Sequence, residues 1–193
     1  MPDLATFAGL AAKHRVVPVM RPLLADLTSP VAAFLRLCGN DVDGRPGFLL
    51  ESVDHGGRWD RWSFVGRDPR ARIVSRGGCV EVTGELPPNL PLDQGVLATL
   101  ESLLEHYKAP DAADLTAVGS GMPDGATGSG FEVPPLHSGV VGYLGYDVVR
   151  EVEHLPAPPP DTRGFPDAVQ SLIGELAAYD HFTQRVTLMV NVV

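Results

Sequence analysis

The chain has 193 residues, of which 44% are hydrophobic and 20% are charged, a composition typical of a globular protein of one domain or slightly more. Its formal net charge of −9 argues against nucleic acids and anionic membrane surfaces as partners, because phosphate groups are bound by clusters of basic residues. No apolar run is long enough to span a bilayer, and the chain does not open with the basic segment of a secretory signal, so we expect a cytoplasmic protein.

The first half of the chain predicts two helices and five strands. Ser29 followed by Pro30 is a typical helix start and Gly39 is a typical helix end, so one helix lies between them. The Gly77-Gly78 pair predicts a hairpin turn. The other elements predicted here are a helix over residues 3–12 and strands over residues 16–20, 48–52, 62–66, 71–75 and 79–82.

The second half begins with the clearest helix, over residues 93–107, whose apolar side chains recur at the spacing of one helical face. Residues 108–135 are rich in Gly, Ala, Ser, Asp and Pro, so we expect a flexible insertion without fixed structure. Asp147 and Arg150 can pair within a short helix over residues 147–153. The other elements predicted here are strands over residues 138–146, 168–179 and 185–193, and a rigid proline connector at 156–160. The fold class predicted is α+β, with a mostly antiparallel sheet and helices packed against it.

No catalytic or metal site is predicted within this chain. The six histidines are scattered, and Cys38 and Cys79 have no partner at metal-binding spacing. Gly139, Gly142 and Gly145 recur every three residues, which differs from the G-x-G-x-x-G spacing of a phosphate site. We interpret these glycines as positions of close backbone packing, with ligand contact as the alternative.

Residues 48–66, FLLESVDHGGRWDRWSFVG, combine an apolar strand with charged groups. Glu51 and Ser52 follow the apolar run directly, and Arg61 opens the returning strand. A buried carboxylate is costly unless it is paired or hydrogen-bonded, so Arg61 is the expected partner of Glu51. The residues by themselves leave two interpretations open, a structural ion pair at the end of a hairpin and a functional site.

Four blocks of this sequence resemble anthranilate synthase component I, the large subunit of an enzyme that converts chorismate. The blocks are VVPVMRPLLADLTSPVAAFLRL at 16–37, LLES with the RWSFVG strand at 49–66, HSGVVGYLGYDVVREVEHLP at 137–156, and FPDAVQSLIGELAAYDHFTQRVTLMVNVV at 165–193. They follow the order of that family's N-terminal region. The resemblance therefore implies that residues 1–193 form that region, an incomplete part of the chorismate-utilising enzyme fold, and that the C-terminal chorismate-binding domain is absent.

The resemblance also implies the activity of the full-length parent. Such a parent converts chorismate and ammonia, delivered from glutamine by a glutamine amidotransferase subunit (anthranilate synthase component II), to anthranilate and pyruvate. Mg²⁺ is the implied cofactor, with ligands outside this chain. The parent acts in tryptophan synthesis and is a lyase, and we expect the 193-residue chain by itself to be inactive.

The same family is commonly inhibited by L-tryptophan, and the resemblance places part of this feedback site here. Glu51 is then the carboxylate that binds the ammonium group of tryptophan, and Ser52 adds a supporting hydrogen bond. Arg61 takes the place of a basic residue near the site. The chemistry suits this assignment, because a desolvated carboxylate needs a cation and an α-amino group supplies one.

Two other functions are compatible with these residues. The first alternative is the N-terminal part of aminodeoxychorismate synthase component I, although the LLES and RWSFVG pair favours anthranilate synthase. The second is a stand-alone, non-enzymatic tryptophan-binding module.

The last nine residues, RVTLMVNVV, predict an apolar strand that leaves an unpaired sheet edge, which favours a fragment or the product of a split gene.

Overall fold

The computed structural model describes residues 4–39, 46–51, 61–119 and 132–193. These residues form an α+β fold whose sheets are antiparallel, which confirms the predicted fold class. The chain divides into two compact units, each built around one sheet. The first unit consists of Met1–Pro69, Tyr107–Gly139 and Ile173–Val193, and the second consists of Arg70–His106 and Val140–Leu172.

The elements of the described residues largely follow the sequence prediction. The strands are β1 (Val17–Leu24), β2 (Gly47–Glu51), β3 (Trp62–Arg67), β4 (Ala71–Arg76), β5 (Cys79–Gly84), β6 (Val140–Leu144), β7 (Ala168–Leu172), β8 (Glu175–Asp180) and β9 (Arg185–Val192). The helices are α1 (Leu4–Ala11), α2 (Pro30–Cys38), α3 (Val96–His106), α4 (Ala112–Gly119) and a 3₁₀ helix at Tyr146–Glu151. In that 3₁₀ helix Arg150 Nε donates to Asp147 Oδ1 at 2.7 Å, as predicted. Within the described ranges, no helix has the length and apolar character needed to cross a bilayer.

The first unit contains a five-stranded sheet in the order β1-β9-β8-β3-β2, with α2 packed on it. The ends of α2 are those predicted from the sequence. The Ser29 hydroxyl accepts the N–H of Ala32 at 3.2 Å, and Gly39 has a φ of 78°, which favours glycine. The buried side chains between helix and sheet are Ala33, Val65, Ala177, Tyr179 and Val186.

The last strand, β9, lies inside this sheet and not at its edge. It pairs with β1 from Val17 opposite Val192 to Leu24 opposite Arg185, and it pairs with β8 on its other side. The prediction of an unpaired apolar edge is therefore wrong, because the first strand of the chain returns to pair with the last. Apolar character indicates that a strand is buried, but not which strand lies beside it.

The second unit contains a four-stranded sheet in the order β5-β4-β7-β6. The predicted β4–β5 hairpin is confirmed, since Gly77 and Gly78 form its turn with φ values of 54° and 81°. The close backbone approach predicted for the glycine-rich strand is confirmed at Gly142, where a Cβ atom would lie 1.9 Å from the carbonyl oxygen of Val169.

Helix α3 begins at Val96, three residues later than predicted from the sequence. The Glu151 carboxylate caps this start, because its two oxygens accept the N–H groups of Val96 and Leu97 at 2.9 Å each. Gly95 makes room for the contact, since a Cβ atom there would lie 2.6 Å from the Glu151 carboxylate carbon. A carboxylate from the 3₁₀ helix therefore fixes where α3 starts.

The predicted strand over residues 168–179 is two strands in different sheets, and this prediction is corrected. Between β7 and β8, Ile173 donates its N–H to the carbonyl of Gly139, and the carbonyl of Gly174 accepts the N–H of Asn191, both at 2.9 Å. The chain changes sheet at this point. Apolar residues continue through the change, so periodicity by itself does not reveal it.

Part of the predicted insertion is helical. Helix α4 spans Ala112–Gly119, so the prediction of no fixed structure over residues 108–135 is wrong there. Its side chain at Leu115 is buried, which gives the helix an anchor in the first unit. Residues 120–131, with the glycine-rich centre of the insertion, lie outside the described residues.

Candidate functional site

A cavity of about 1140 Å³ lies beside strands β2 and β3 in the first unit. Its wall combines an apolar surface with three charged side chains, Glu51, Arg61 and Glu132. Such a combination is typical of a site for a small ligand with an apolar body and a few polar groups. The apolar lining residues are Leu49, Leu50, Trp62, Phe64, Val133, Pro135 and Leu136.

The aromatic part of this wall follows from the pleat of β3. Trp62 and Phe64 are two residues apart, so their side chains share one face of the strand. Their ring centroids lie 6.4 Å apart and the ring planes are 17° from parallel. Leu50 on β2 pairs with Phe64, which extends the apolar surface onto the neighbouring strand.

Arg61 is held at the end of β3 by two carboxylates and two aromatic rings. Its Nε and Nη2 atoms donate to the two oxygens of Asp180 at 2.9 and 2.7 Å, and Nη1 donates to Glu132 at 2.6 Å. The guanidinium carbon lies 4.9 Å from the ring centroid of Trp62 and 5.9 Å from that of Phe182. The hydrogen bond to Asp180 is the largest of the effects that raise the pKa of Arg61 above its usual value.

Asp180 is the buried anchor of this arrangement. Besides two hydrogen bonds from Arg61, its carboxylate accepts the backbone N–H groups of Phe182 and Thr183 at 3.0 and 3.3 Å and the Thr183 hydroxyl at 2.8 Å. Burial raises the pKa of Asp180, but the hydrogen bonds from Arg61, Thr183 and Phe182 outweigh burial and hold it below its usual value.

The structure brings Glu51 and Arg61 to the same cavity but does not pair them. Arg61 bonds to Asp180 and Glu132, so the predicted Glu51–Arg61 ion pair is wrong. Among the described residues, no side chain bonds to the carboxylate of Glu51, which is exposed at the end of β2. Ser52, the second residue of the predicted site, lies outside the described residues.

Asp180 and Glu132 were missed from the sequence. Asp180 did carry a local signal, because an aspartate that ends an apolar strand and precedes a threonine by three residues often caps a turn. Its pairing with Arg61 had no such signal, since 119 residues separate the two. Glu132 had no signal, because it lies in the segment predicted as an insertion.

A serine and a histidine also meet at this end of the sheet. Ser63 Oγ lies 2.7 Å from His181 Nε2. Ser63 is fully buried, and the neighbouring Asp180 carboxylate is bonded to Arg61 and to its own turn. Within the described part of the chain, the pair therefore lacks both the accessible hydroxyl and the orienting carboxylate of a nucleophilic triad.

A second cavity, of about 510 Å³, lies in the second unit, and its polar groups bond to one another. The Asp167 carboxylate accepts the N–H of Gly77 at 2.6 Å, and Arg76 donates to the carbonyl of Gly164 at 2.8 Å. In the described part of the chain, no three His, Cys, Asp or Glu side chains are grouped so that they could hold a metal ion. The cavity beside β2 and β3 is therefore the better candidate site.

Comparisons with known proteins agree on one kind of relative. No family model matches the chain. Anthranilate synthase component 1 of Mycolicibacterium smegmatis is 37% identical over 188 residues, which are 97% of this chain and 32% of the relative. The protein of the same name from Streptomyces coelicolor is 38% identical over 192 residues, 98% of this chain and 29% of the relative. The chain thus spans about a third of the length of the curated relatives it matches.

Among solved structures, anthranilate synthase component I from Streptococcus pneumoniae matches with a TM-score of 0.46 and 20% sequence identity. The match covers 87% of this chain and 31% of that one.

Proposed function

Because this chain belongs to the anthranilate synthase component I family, as a region about a third as long as its relatives, we propose that its cavity beside β2 and β3 is part of a regulatory site for L-tryptophan. One observation carries this proposal. The Glu51 carboxylate has no bonding partner among the described residues, yet it stands at a cavity wall made largely of apolar and aromatic side chains.

The chemistry of the cavity suits an aromatic amino acid. The ammonium group of L-tryptophan forms a charge-assisted hydrogen bond with the Glu51 carboxylate, which has no partner among the described residues. The indole ring lies against the aromatic surface of Trp62 and Phe64, and this contact buries a large part of the ring's apolar surface. In this proposal Ser52 supports the ligand by a hydrogen bond, and Arg61 is the basic residue near the site.

For the whole protein we propose the reaction of the family, in the cytoplasm. Chorismate and ammonia give anthranilate, pyruvate and water in the first committed step of tryptophan synthesis, and a glutamine amidotransferase subunit supplies the ammonia. The residues that would hold Mg²⁺, which would help the hydroxyl group to leave, belong to the part of the protein outside this chain, so we expect the 193-residue chain to be inactive by itself. The product formed by the full-length protein, anthranilate or aminodeoxychorismate, distinguishes the two related chorismate enzymes.

Calorimetric titration of L-tryptophan into the 193-residue chain tests the regulatory site. We expect binding by the unmodified chain and its loss in Glu51→Ala, because the ammonium group then loses the carboxylate that replaces its hydration in the proposed site. Glu81→Ala, which removes an exposed strand glutamate from the second unit, is the control and should bind as the unmodified chain does. Absence of binding by the unmodified chain, or equal binding by Glu51→Ala, would contradict the proposal.

A further inference from the structure

The two carboxylates that bind Arg61 differ in burial and in the number of hydrogen bonds that hold them. The Asp180 side chain is 8% exposed and accepts both hydrogen bonds of the guanidinium fork, besides those of its own turn. The Glu132 side chain is 61% exposed and, among the described residues, accepts a single bond, from Nη1. Water solvates an exposed carboxylate almost as well as an arginine does, whereas a buried one that loses its partner is left uncompensated. Glu132 is therefore the exchangeable partner and Asp180 the fixed one.

The remaining contacts of Arg61 keep its guanidinium in place when Glu132 leaves. Asp180 fixes the edge formed by Nε and Nη2, and the Trp62 ring, whose centroid lies 4.9 Å from the guanidinium carbon, supports the plane. Both Arg61 and Glu132 line the cavity beside β2 and β3. A carboxylate of a ligand in that cavity can thus take the position of Glu132 on Nη1 without any change at Asp180.

We propose that Glu132 is a displaceable counter-ion of Arg61, which competes with the carboxylate of a bound ligand for Nη1 and so sets the affinity of the cavity for amino acids relative to amines. This inference rests on the proposed function for the identity of the ligand, L-tryptophan. In the empty cavity Glu132 satisfies Arg61, and on binding the ligand carboxylate replaces it, while Glu132 returns to water.

The chain contains a matched control for this ion pair. Arg67 donates from Nε to Glu175 at 2.5 Å, with side chains that are 29% and 41% exposed, in the same unit and outside the lining of the cavity. Glu175→Gln therefore removes the same charge from a similar arginine pair, but not from the cavity. It separates local competition at Arg61 from a general effect of net charge.

The first experiment compares L-tryptophan with tryptamine, which lacks the carboxylate, by calorimetry on the 193-residue chain. We expect Glu132→Gln to bind L-tryptophan about two- to fivefold more tightly, the range that corresponds to an exposed ion pair, and to bind tryptamine no more tightly. Glu175→Gln should leave both affinities unchanged. Weaker binding of L-tryptophan by Glu132→Gln, or an equal gain in both variants, would overturn the proposal.

A second measurement does not depend on tryptophan. Side-chain NMR of Arg61 should give faster hydrogen exchange at Nη1 than at Nε in the unmodified chain, and acetate should shift the Nη1 signals at lower concentration in Glu132→Gln. Equally slow exchange at both nitrogens, or no response to acetate in either protein, would overturn the displaceable counter-ion. If the NMR result is as expected but L-tryptophan does not bind, the proposed function fails while the exchange at Arg61 stands.

Discussion

At the scale of single residues, Asp180 holds the end of the five-stranded sheet together. Its carboxylate joins the end of β3, through Arg61, to the turn that connects β8 with β9. The cavity wall at Arg61 depends on this contact, because the guanidinium also lies against Trp62. A structural residue outside the predicted site thus determines where the cation of the site stands.

Asp180→Asn should destabilise the 193-residue chain by about 1.5–3 kcal/mol, the usual contribution of hydrogen bonds to a charged group. The asparagine keeps the size of the side chain but cannot accept from both sides of the guanidinium fork. Urea unfolding monitored by circular dichroism measures the loss. Asp147→Asn, which breaks the exposed pair with Arg150, is the control and should change stability by no more than about 0.5 kcal/mol. Equal effects of the two substitutions would contradict a special role for Asp180.

Acid should remove the stabilisation that Asp180 provides. Because its pKa in the folded protein lies below the ordinary value of 3.8, the folded state holds the ionised form more strongly than the unfolded state does. The stabilisation is therefore complete above the unfolded-state pKa and is lost as the pH falls through the lowered folded-state pKa. We expect the difference in unfolding free energy between the unmodified chain and Asp180→Asn to be constant near neutral pH and to shrink below about pH 4. A difference that stays constant in acid would exclude this linkage.

At the scale of elements, α3 depends on a carboxylate from outside the helix. Its first turn contains no acidic residue of its own, and Glu151 supplies the missing acceptor for two N–H groups. Negative charge at a helix start is also favoured by the helix dipole. The start of α3 and the position of the 3₁₀ helix are therefore coupled within the second unit.

Glu151→Ala should lower the stability of the second unit by about 1 kcal/mol, the usual effect of losing a helix cap. Glu153→Ala, which removes an exposed carboxylate two residues away, should leave stability nearly unchanged. Hydrogen exchange at the amides of Val96 and Leu97 gives a local measure of the same loss. Unchanged protection of these amides in Glu151→Ala would mean that the cap does not stabilise the helix.

The sequence predicts those helix ends and turns whose interacting groups lie close together along the chain. The caps of α2 at Ser29 and Gly39, and the Gly77-Gly78 hairpin, involve groups only a few residues apart, so local rules apply. The start of α3 was predicted three residues too early because its cap lies 55 residues away, at Glu151.

For the candidate site, the sequence predicted two of the charged residues but not the partner of Arg61. The sequence led to Glu51 and Arg61, and the structure places both at one cavity. The partner predicted for Arg61 from the sequence was wrong. A charged residue next to an apolar strand shows that a counter-ion is needed, but not which of the distant carboxylates supplies it. The pairing of Arg61 with Asp180 follows from β3 lying beside β8, and strand order is a property of the whole fold.

At the scale of the whole molecule, neither unit is a continuous stretch of chain. The first unit takes three segments and the second takes two, so the chain passes from one unit to the other four times. Contacts between distant residues dominate such an arrangement, and long-range strand pairing slows folding because the intervening loop must close first. The second unit is complete once residue 172 is in place.

The pairing of β1 with β9 also sets an order of events on the ribosome. β1 is synthesised well before its sheet partner β9, which begins at Arg185, 168 residues after Val17. At the usual rate of translation, about 10–30 seconds therefore pass before β1 can form its backbone hydrogen bonds with β9. During that interval the apolar residues and unpaired backbone groups of β1 are open to contacts with chaperones and with other nascent chains.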